Sequence, residues 1–322
     1  MYSYKTEDLY MRATQLTHYG GEDALQFTTE APIPEIQPGQ VLVKVAAASI
    51  NAIDWKIREG MMQQMAPVSF PATLGGDMAG TVEKIGEGVE GFTVGQKVYG
   101  QTNPFSGHGS FAEYSLIASG NLAPKPQSAD FMQAAALPLT AASAYQAIVE
   151  TLNVQSGQKI LIHGGAGGIG MFAIQLAKHL GAYVATTAAA DDIEFVKAQG
   201  ADEAIDYTAQ KFEELIQEYD AVFDTVGGDT AEKSYAVLKR GGQLVSMAAM
   251  PNEALASEHG ITASAQQTRV TTERLQNVTE LADQGVFQPA IDKTFPLEQA
   301  AEALEYMRRG HHRGKVVIKV TD

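Results

Sequence analysis

The chain has 322 residues, 45% of them hydrophobic and 19% charged, which is enough apolar material for about two domains of ordinary size. A net charge of −15 argues against nucleic acid and anionic membrane surfaces as partners, because their phosphates would be repelled. The absence of cysteine excludes disulfides, a cysteine nucleophile and every thiolate zinc site, and it fits a reducing cytoplasm.

Residues 1–10 are polar and carry acids, so they read as neither a signal nor a transit peptide. No uncharged run approaches the ~18 apolar residues of a membrane span. Short strands are predicted at 41–46, 80–86, 97–100 and 109–117, between glycine and proline turns, which suggests a small irregular β-barrel. Asn51 and Asp54 fall in the loop after the first of these, and Arg58 reads as surface. Tyr99 and Phe105 flank a loop, either lining a pocket or filling core. Near Asp130 the texture becomes alanine-rich and helical, over 131–137 and 141–152, with Pro138 as the break.

From Lys159 onward strands and helices alternate. Strands are predicted at 160–163, 183–187, 204–205, 221–224 and 243–247, and helices at 170–180, 192–199, 212–218 and 231–238. This order demands a parallel sheet with helices on both faces. A strand near 261–264, helices at 272–284 and 297–309, and a final strand at 315–320 complete the reading.

Within the alternating half, an apolar strand runs into Gly165-Ala166-Gly167-Gly168-Ile169-Gly170 and then into a helix. Gly165, Gly167 and Gly170 fit the dinucleotide pattern. The first is expected to allow the turn, the second to let backbone approach a pyrophosphate, and the third to let helix pack on strand. The helix N-terminus favours the anion. His163, ending that strand, reads as a packed core histidine.

The residues resemble the zinc-independent branch of the medium-chain dehydrogenase/reductase superfamily, the quinone and enone oxidoreductases related to zeta-crystallin. The resemblance spans nearly the whole chain and rests on ordered motifs. These include Ala48-Ser-Ile-Asn51-Ala-Ile-Asp54, Leu74-Gly-Gly-Asp77, Gly109-Ser-Phe-Ala-Glu-Tyr114, Ala136-Leu-Pro-Leu139, the glycine turn, Gly200-Ala-Asp-Glu-Ala-Ile-Asp-Tyr207 and Arg313-Gly-Lys-Val-Val317. The implied fold is α/β: a GroES-like β-barrel catalytic domain (1–130 with 267–322) and a Rossmann doubly wound parallel sheet domain that binds NADP(H) (131–266).

Zinc-dependent relatives carry cysteine where Asn51 stands and histidine where Gly76 stands, so the resemblance implies no metal. The chemistry left is hydride addition to a quinone or to an α,β-unsaturated carbonyl, whose developing anion needs only hydrogen-bond donors and a proton. The cofactor reads as NADPH rather than NADH. The second strand ends in Thr187-Ala188 instead of an acid, and Asp191 and Asp192 look like caps of the next helix. Against it, no lysine or arginine lies between Lys178 and Lys197; where many relatives have a lysine, Ile193-Glu194 stands.

The resemblance nominates Asn51 and Lys56 as catalytic. Cofactor contacts are expected from the glycine turn, Ser143, Thr187, Tyr207, Val226, Met247, Ala248 and Lys315. Asp77 is read as structural or catalytic. A small-molecule quinone or enone is the implied substrate and a homodimer, joined near 261–264, the implied assembly. An enoyl-thioester reductase, or an NADPH-binding sensor or structural protein without chemistry, stands as the alternative.

Overall fold

The computed structural model describes residues 10–321; the segment read above as neither signal nor transit peptide lies outside them but for Tyr10. The chain forms two compact units. The first contains the residues up to Leu139, Val270–Asp283 and the residues from Pro289 onward, and the second contains Thr140–Arg269 and Gln284–Gln288.

In chain order the first unit has β1 (Tyr10–Leu16), β2 (Leu25–Pro32), β3 (Gln40–Ser49), α1 (Ala52–Arg58), β4 (Ala72–Thr73) and β5 (Asp77–Ile85). It continues with β6 (Lys97–Gln101), β7 (Tyr114–Ala118), β8 (Leu122–Pro124) and α2 (Phe131–Ala135). The second unit begins within α3 (Pro138–Tyr145) and continues with β9 (Lys159–His163), α4 (Gly168–His179), β10 (Tyr183–Ala188), α5 (Ile193–Ala198) and β11 (Glu203–Asp206). Then come α6 (Phe212–Leu215), β12 (Tyr219–Asp224), α7 (Gly228–Lys233), β13 (Leu238–Ser246), α8 (Glu253–His259) and β14 (Thr262–Ala265). The chain closes in the first unit with α9 (Thr272–Asp283), β15 (Ile291–Pro296), α10 (Ala300–Arg308) and β16 (Lys315–Lys319).

The first unit holds a sheet in the order β15-β16-β3-β5-β6-β8, with β7 also on β3, and a smaller sheet β2-β1-β4. β16 pairs antiparallel with β3 at Val317–Ser49, and β3 pairs with β5 at Ser49–Asp77. Three distant pieces of sequence, 49–51, 77 and 315–317, are thereby brought to one place. Their inward faces, among them Val43, Val45, Met78, Val98 and Ile318, share one core.

The second unit is a six-stranded parallel sheet in the order β11-β10-β9-β12-β13-β14. β9 sits at its centre, and Ile160, Leu161 and Ile162 are fully buried, as expected of a parallel strand covered on both faces. Each such side chain contributes about 2 kcal/mol of burial as an upper estimate. α4 buries Met171, Phe172, Ile174 and Leu176 along one flank.

Several local expectations are corrected. Asn51 and Asp54 are not in a loop: Asn51 caps α1 and Asp54 lies in its first turn. Pro138 opens α3 rather than only ending its predecessor, a place where its missing N–H costs nothing, and residues 146–151 continue as a π-helix. The helix predicted over 212–218 stops at Leu215 because Ile216 is extended and Glu218 has φ +60°. The strand predicted over 109–117 begins only at Tyr114. α2 belongs to the first unit, so that unit extends past residue 130 to Leu139.

Candidate active site

In the first unit, β3 delivers Ile50 and Asn51 to a buried polar cluster. The Asn51 backbone N–H donates to Asp54 Oδ2 at 2.8 Å, satisfying a helix-end group from the third residue of α1. The Asn51 side chain is 4% exposed. Its Nδ2 donates to Asp77 Oδ2 at 2.9 Å, and its Oδ1 accepts from Lys315 Nζ at 2.6 Å. Lys315 also donates to the Ile50 carbonyl at 2.8 Å. Asp77 accepts further from Gln101 Nε2 at 3.1 Å and from the Leu139 N–H.

These contacts fix which way the Asn51 amide points. Oxygen must face the lysine and nitrogen the carboxylate, and one of the two Nδ2 hydrogens is left over. The cluster therefore presents an oriented N–H with an ammonium behind it.

Burial dominates the electrostatics. It raises the Asp54 carboxyl to about 7, helped by the nearby Asp77 charge and opposed by the Asn51 N–H and by Lys315. Burial likewise raises Asp77 against the pull of Lys315 and its hydrogen-bond donors. It lowers Lys315, which the two carboxyls hold up. Asp54 Oδ1 has no hydrogen-bond partner among the described residues, as suits a carboxyl that is readily protonated.

Lys56, on the same helix as Asp54, stands outside this cluster. It is half-buried, with Nζ 5.7 Å from the centre of the Trp55 ring. Arg58 is not a surface residue but 1% exposed, with Nη2 donating to Glu59 and Glu305. Tyr99 is core: it is fully buried and its hydroxyl donates to the Leu275 carbonyl at 2.6 Å.

In the second unit the glycine turn leaves β9 and enters α4. The left-handed residue of the turn is Gly164, at φ +71°. Gly165 is needed for another reason, since a Cβ there would lie 2.1 Å from Thr186 Oγ1. At Gly170 a Cβ would stand 2.2 Å from the Gly164 carbonyl oxygen, so only glycine lets α4 start this close to the turn. At Gly167 the nearest atom would be 3.4 Å away, and that face of the turn is open. Gly167, Gly168 and Ile169 are partly exposed, whereas Gly165 and Ala166 are buried.

A hydrogen-bonded chain holds the turn. Gly164 N–H donates to Thr187 Oγ1 at 3.3 Å and Gly165 N–H to the Thr187 carbonyl at 3.0 Å. Thr187 Oγ1 lies 3.0 Å from His163 Nδ1, and His163 Nε2 lies 2.9 Å from Ser234 Oγ. Ser234 itself donates to the Thr230 carbonyl at 2.6 Å. Its oxygen must therefore accept, which assigns the histidine proton to Nε2 and leaves Nδ1 to accept from Thr187. Burial draws His163 down to about 4, so the ring is neutral near pH 7. Thr187 thus positions the turn; its hydroxyl is already engaged.

The remaining sites occupy the ends of the parallel strands. Asp224, fully buried, accepts from the N–H groups of Val226 and Gly227 and from Ser246 Oγ. Ser246 Oγ accepts from the Ala248 N–H at 3.1 Å, and the Met247 N–H donates to the Asp224 carbonyl at 2.9 Å. Val226, Met247 and Ala248 are held in place by that single carboxylate and its neighbours. Ser143 is fully buried, its hydroxyl 2.7 Å from Thr268 Oγ1. A cavity of about 450 Å3 opens beside His163, Gly164, Thr187, Tyr207 and Val226, with Lys211 and Lys233 also on its wall. Sequence reasoning missed both lysines. The only local signal is that Lys211 follows Tyr207 by four residues.

Residues 37–127 match the family description "Alcohol dehydrogenase GroES-like domain", and residues 199–318 match "Zinc-binding dehydrogenase". The NADPH-dependent alkenal/one oxidoreductase, chloroplastic, of Arabidopsis thaliana is 35% identical over 319 residues, covering 96% of this chain and 79% of the relative. The 2-methylene-furan-3-one reductase of Solanum lycopersicum is 36% identical with the same coverage. The quinone oxidoreductase from Coxiella burnetii superposes with a TM-score of 0.88 at 34% identity, over 97% of this chain and 100% of that one. The chain belongs to the quinone and enone oxidoreductases of the medium-chain dehydrogenase/reductase superfamily.

Zinc-dependent members of this superfamily hold a metal where Asn51 and Gly76 stand, so the fit can be tested. Here the amide oxygen of Asn51 is taken by the ammonium of Lys315. Among the described residues no group of three histidines, cysteines or carboxylates converges on one point. The residues of this oxidoreductase do not fit zinc. They do fit a dinucleotide, since the open face at Gly167 leaves room that a side chain would fill, and Gly170 lets α4 start close against the turn.

Proposed function

We propose that the protein is an NADPH-dependent reductase of quinones or α,β-unsaturated carbonyl compounds that works without a metal. The carrying observation is the Asn51 amide, locked between Lys315 and Asp77, with one N–H unspent. The second unit is assigned to the cofactor, held by the turn from Gly165 to Gly170 and by the strand-end segments containing Val226, Met247 and Ala248. The first unit is assigned to the substrate.

The nicotinamide supplies a hydride when bound. The chain's own part is orientation and charge. Asn51 donates its free N–H to the acceptor oxygen on which negative charge builds, and Lys315 polarises that amide from behind. A preorganised donor of this kind contributes on the order of 10²-fold to turnover. Lys56 stands further out and assists protonation or ribose binding, with solvent as the final proton source. The names of the Arabidopsis and tomato relatives, an alkenal/one oxidoreductase and a 2-methylene-furan-3-one reductase, support this substrate class.

Assembly is proposed as a homodimer through β14, the edge strand of the parallel sheet; light scattering on an Ala263→Pro variant, which removes an N–H on the free edge, should then report monomer. No described helix is long and apolar enough to cross a membrane, and the lack of cysteine suits a reducing compartment such as the cytoplasm.

The test is to mix protein and NADPH with a panel of quinones, enones and enoyl-CoA and follow the reduced-nicotinamide absorbance. Turnover of quinones or enones is expected. Cofactor binding without turnover would sink the enzyme reading, and turnover confined to the thioester would replace it with an enoyl-thioester reductase.

A further inference from the structure

We propose that Lys211 is the charge that selects a 2′-phosphorylated dinucleotide, reaching it from the segment after β11 rather than from the turn after β10. The inference rests on the proposed nicotinamide chemistry and concerns how one form of that cofactor is told from the other.

The 450 Å3 cavity lies at the ends of the parallel strands. It is walled by the ends of β9 (His163, Gly164) and β10 (Thr187) and by Val226 just after β12. β9 and β12 are the neighbours at which the strand order reverses. A crevice beyond the carboxyl ends of parallel strands, at that reversal, is where a dinucleotide lies. The cavity therefore takes the adenosine end, next to the glycine turn.

At this end a carboxylate closing the second strand would bind both ribose hydroxyls and repel a phosphate. β10 offers none, ending in Thr187 and Ala188. Thr187 does not replace it as a ribose-binding acid, because it is uncharged and its one O–H is spent on His163 Nδ1 while its oxygen accepts from Gly164. The end of β10 is thus without a device that favours the unphosphorylated form.

Two ammonium groups face the same space, and they are held differently. Lys233 Nζ pairs at 3.1 Å with Glu213, whose side chain is only 20% exposed, tying α7 to α6. Lys211 Nζ pairs at 2.8 Å with Glu214 three residues on, and the two side chains are 67% and 65% exposed. A pair so exposed is screened by water and held weakly. Lys211 can exchange Glu214 for a phosphate dianion, which binds an ammonium more strongly than a solvated carboxylate does. Tyr207, on the same wall and itself exposed, has its hydroxyl available as a second donor.

Charge balance makes the effect selective. The wall carries Lys211 and Lys233 against Glu213 and Asp229, formally neutral within a chain of −15. Without Lys211 it becomes negative, which penalises a dianion and scarcely touches a ribose hydroxyl.

Titration calorimetry with NADPH, NADH, 2′,5′-ADP and ADP tests this on the wild type and on Lys211→Ala, Lys211→Arg and Lys233→Ala. Lys211→Ala should weaken NADPH and 2′,5′-ADP by about tenfold or more, as the loss of one ionic contact does, and leave NADH and ADP unchanged. Lys211→Arg should keep the preference. Equal weakening of phosphorylated and unphosphorylated ligands, no weakening, or a preference that follows Lys233 instead would overturn the proposal. A wild type that binds both dinucleotides without discrimination overturns this inference alone; one that binds neither overturns the proposed function with it.

Discussion

Lys315 and Asn51 meet across 2.6 Å, ammonium to amide oxygen, although one opens β16 and the other caps α1 just after β3, far apart in sequence. The contact sets the amide's orientation and accounts for a lysine 3% exposed at the start of a strand.

Replacing Lys315 by Met keeps the volume and removes the charge. Two buried carboxyls, Asp54 and Asp77, then lose their cation, and breaking a buried pair in this way costs about 3–5 kcal/mol. Urea denaturation should show that loss, and Lys315→Met combined with Asp54→Asn should recover part of it. Strict additivity of the two single changes would show that the groups are not coupled.

Asn51→Ala should lower kcat on an enone or quinone by about 10²-fold while cofactor affinity, read by fluorescence titration, stays near wild type. Lys56→Ala should act mainly on KM. The reverse pattern, a large kcat effect at Lys56 and none at Asn51, would move the chemistry to the lysine.

Stability against pH carries two opposing slopes. Asp54 titrates near 7 in the folded protein against 3.8 unfolded, so the folded state holds the extra proton. Its contribution is full below about 4 and lost as pH rises towards 7, on the order of 4 kcal/mol if expressed alone. His163 is the opposite case, lowered from 6.5 to about 4 and folded as the neutral ring. Its contribution is full above about 6.5 and lost as pH falls towards 4, on the order of 3 kcal/mol. Urea midpoints of the wild type should therefore change little over this range on account of these two groups. Asp54→Asn should unmask a rise with pH, and His163→Gln a fall. Parallel profiles for all three proteins would refute both assignments.

Gly170→Ala and Gly167→Ala should separate folding from binding. The first puts a methyl 2.2 Å from a backbone oxygen, and a loss of about 1–3 kcal/mol in thermal or denaturant unfolding is expected. At Gly167, with φ −75° and its nearest neighbour 3.4 Å away, the methyl is tolerated by the fold. NADPH affinity should fall there with stability within about 0.5 kcal/mol of wild type.

The second unit was largely legible in the sequence because its signals are local. β9 is an unbroken apolar run, and the glycine turn and α4 follow it directly. β1 and β15 were missed for a physical reason. Thr14 in β1 is a polar residue at a core position, satisfied by the distant Leu297 carbonyl. β15 shows solvent nearly all its side chains except Phe295, so it has no alternation to read. The site followed the same division. Asn51 and the glycine turn stand in recognisable motifs, whereas the meaning of Lys315 depends on two acids that pairing of β16, β3 and β5 brings to it. Lys315, nominated as a cofactor contact, has its ammonium on Asn51 and on the Ile50 carbonyl. Lys211 gains its setting only when α6 and α7 close one cavity wall.

The pairing of β16 with β3 also orders events in time. Asn51 leaves the ribosome early, and the lysine that orients it is made after more than 260 further residues, since the two are 264 positions apart. Until then Asp54 and Asp77 have no buried cation, and the strand neighbour of β3 on that side is missing. A chain stopped before Lys315 has already made the glycine turn and every strand of the parallel sheet, the parts proposed to hold the cofactor, and lacks the residue proposed to orient an acceptor. On the proposed function, the cofactor's part of the site is made before the lysine that orients the acceptor's part.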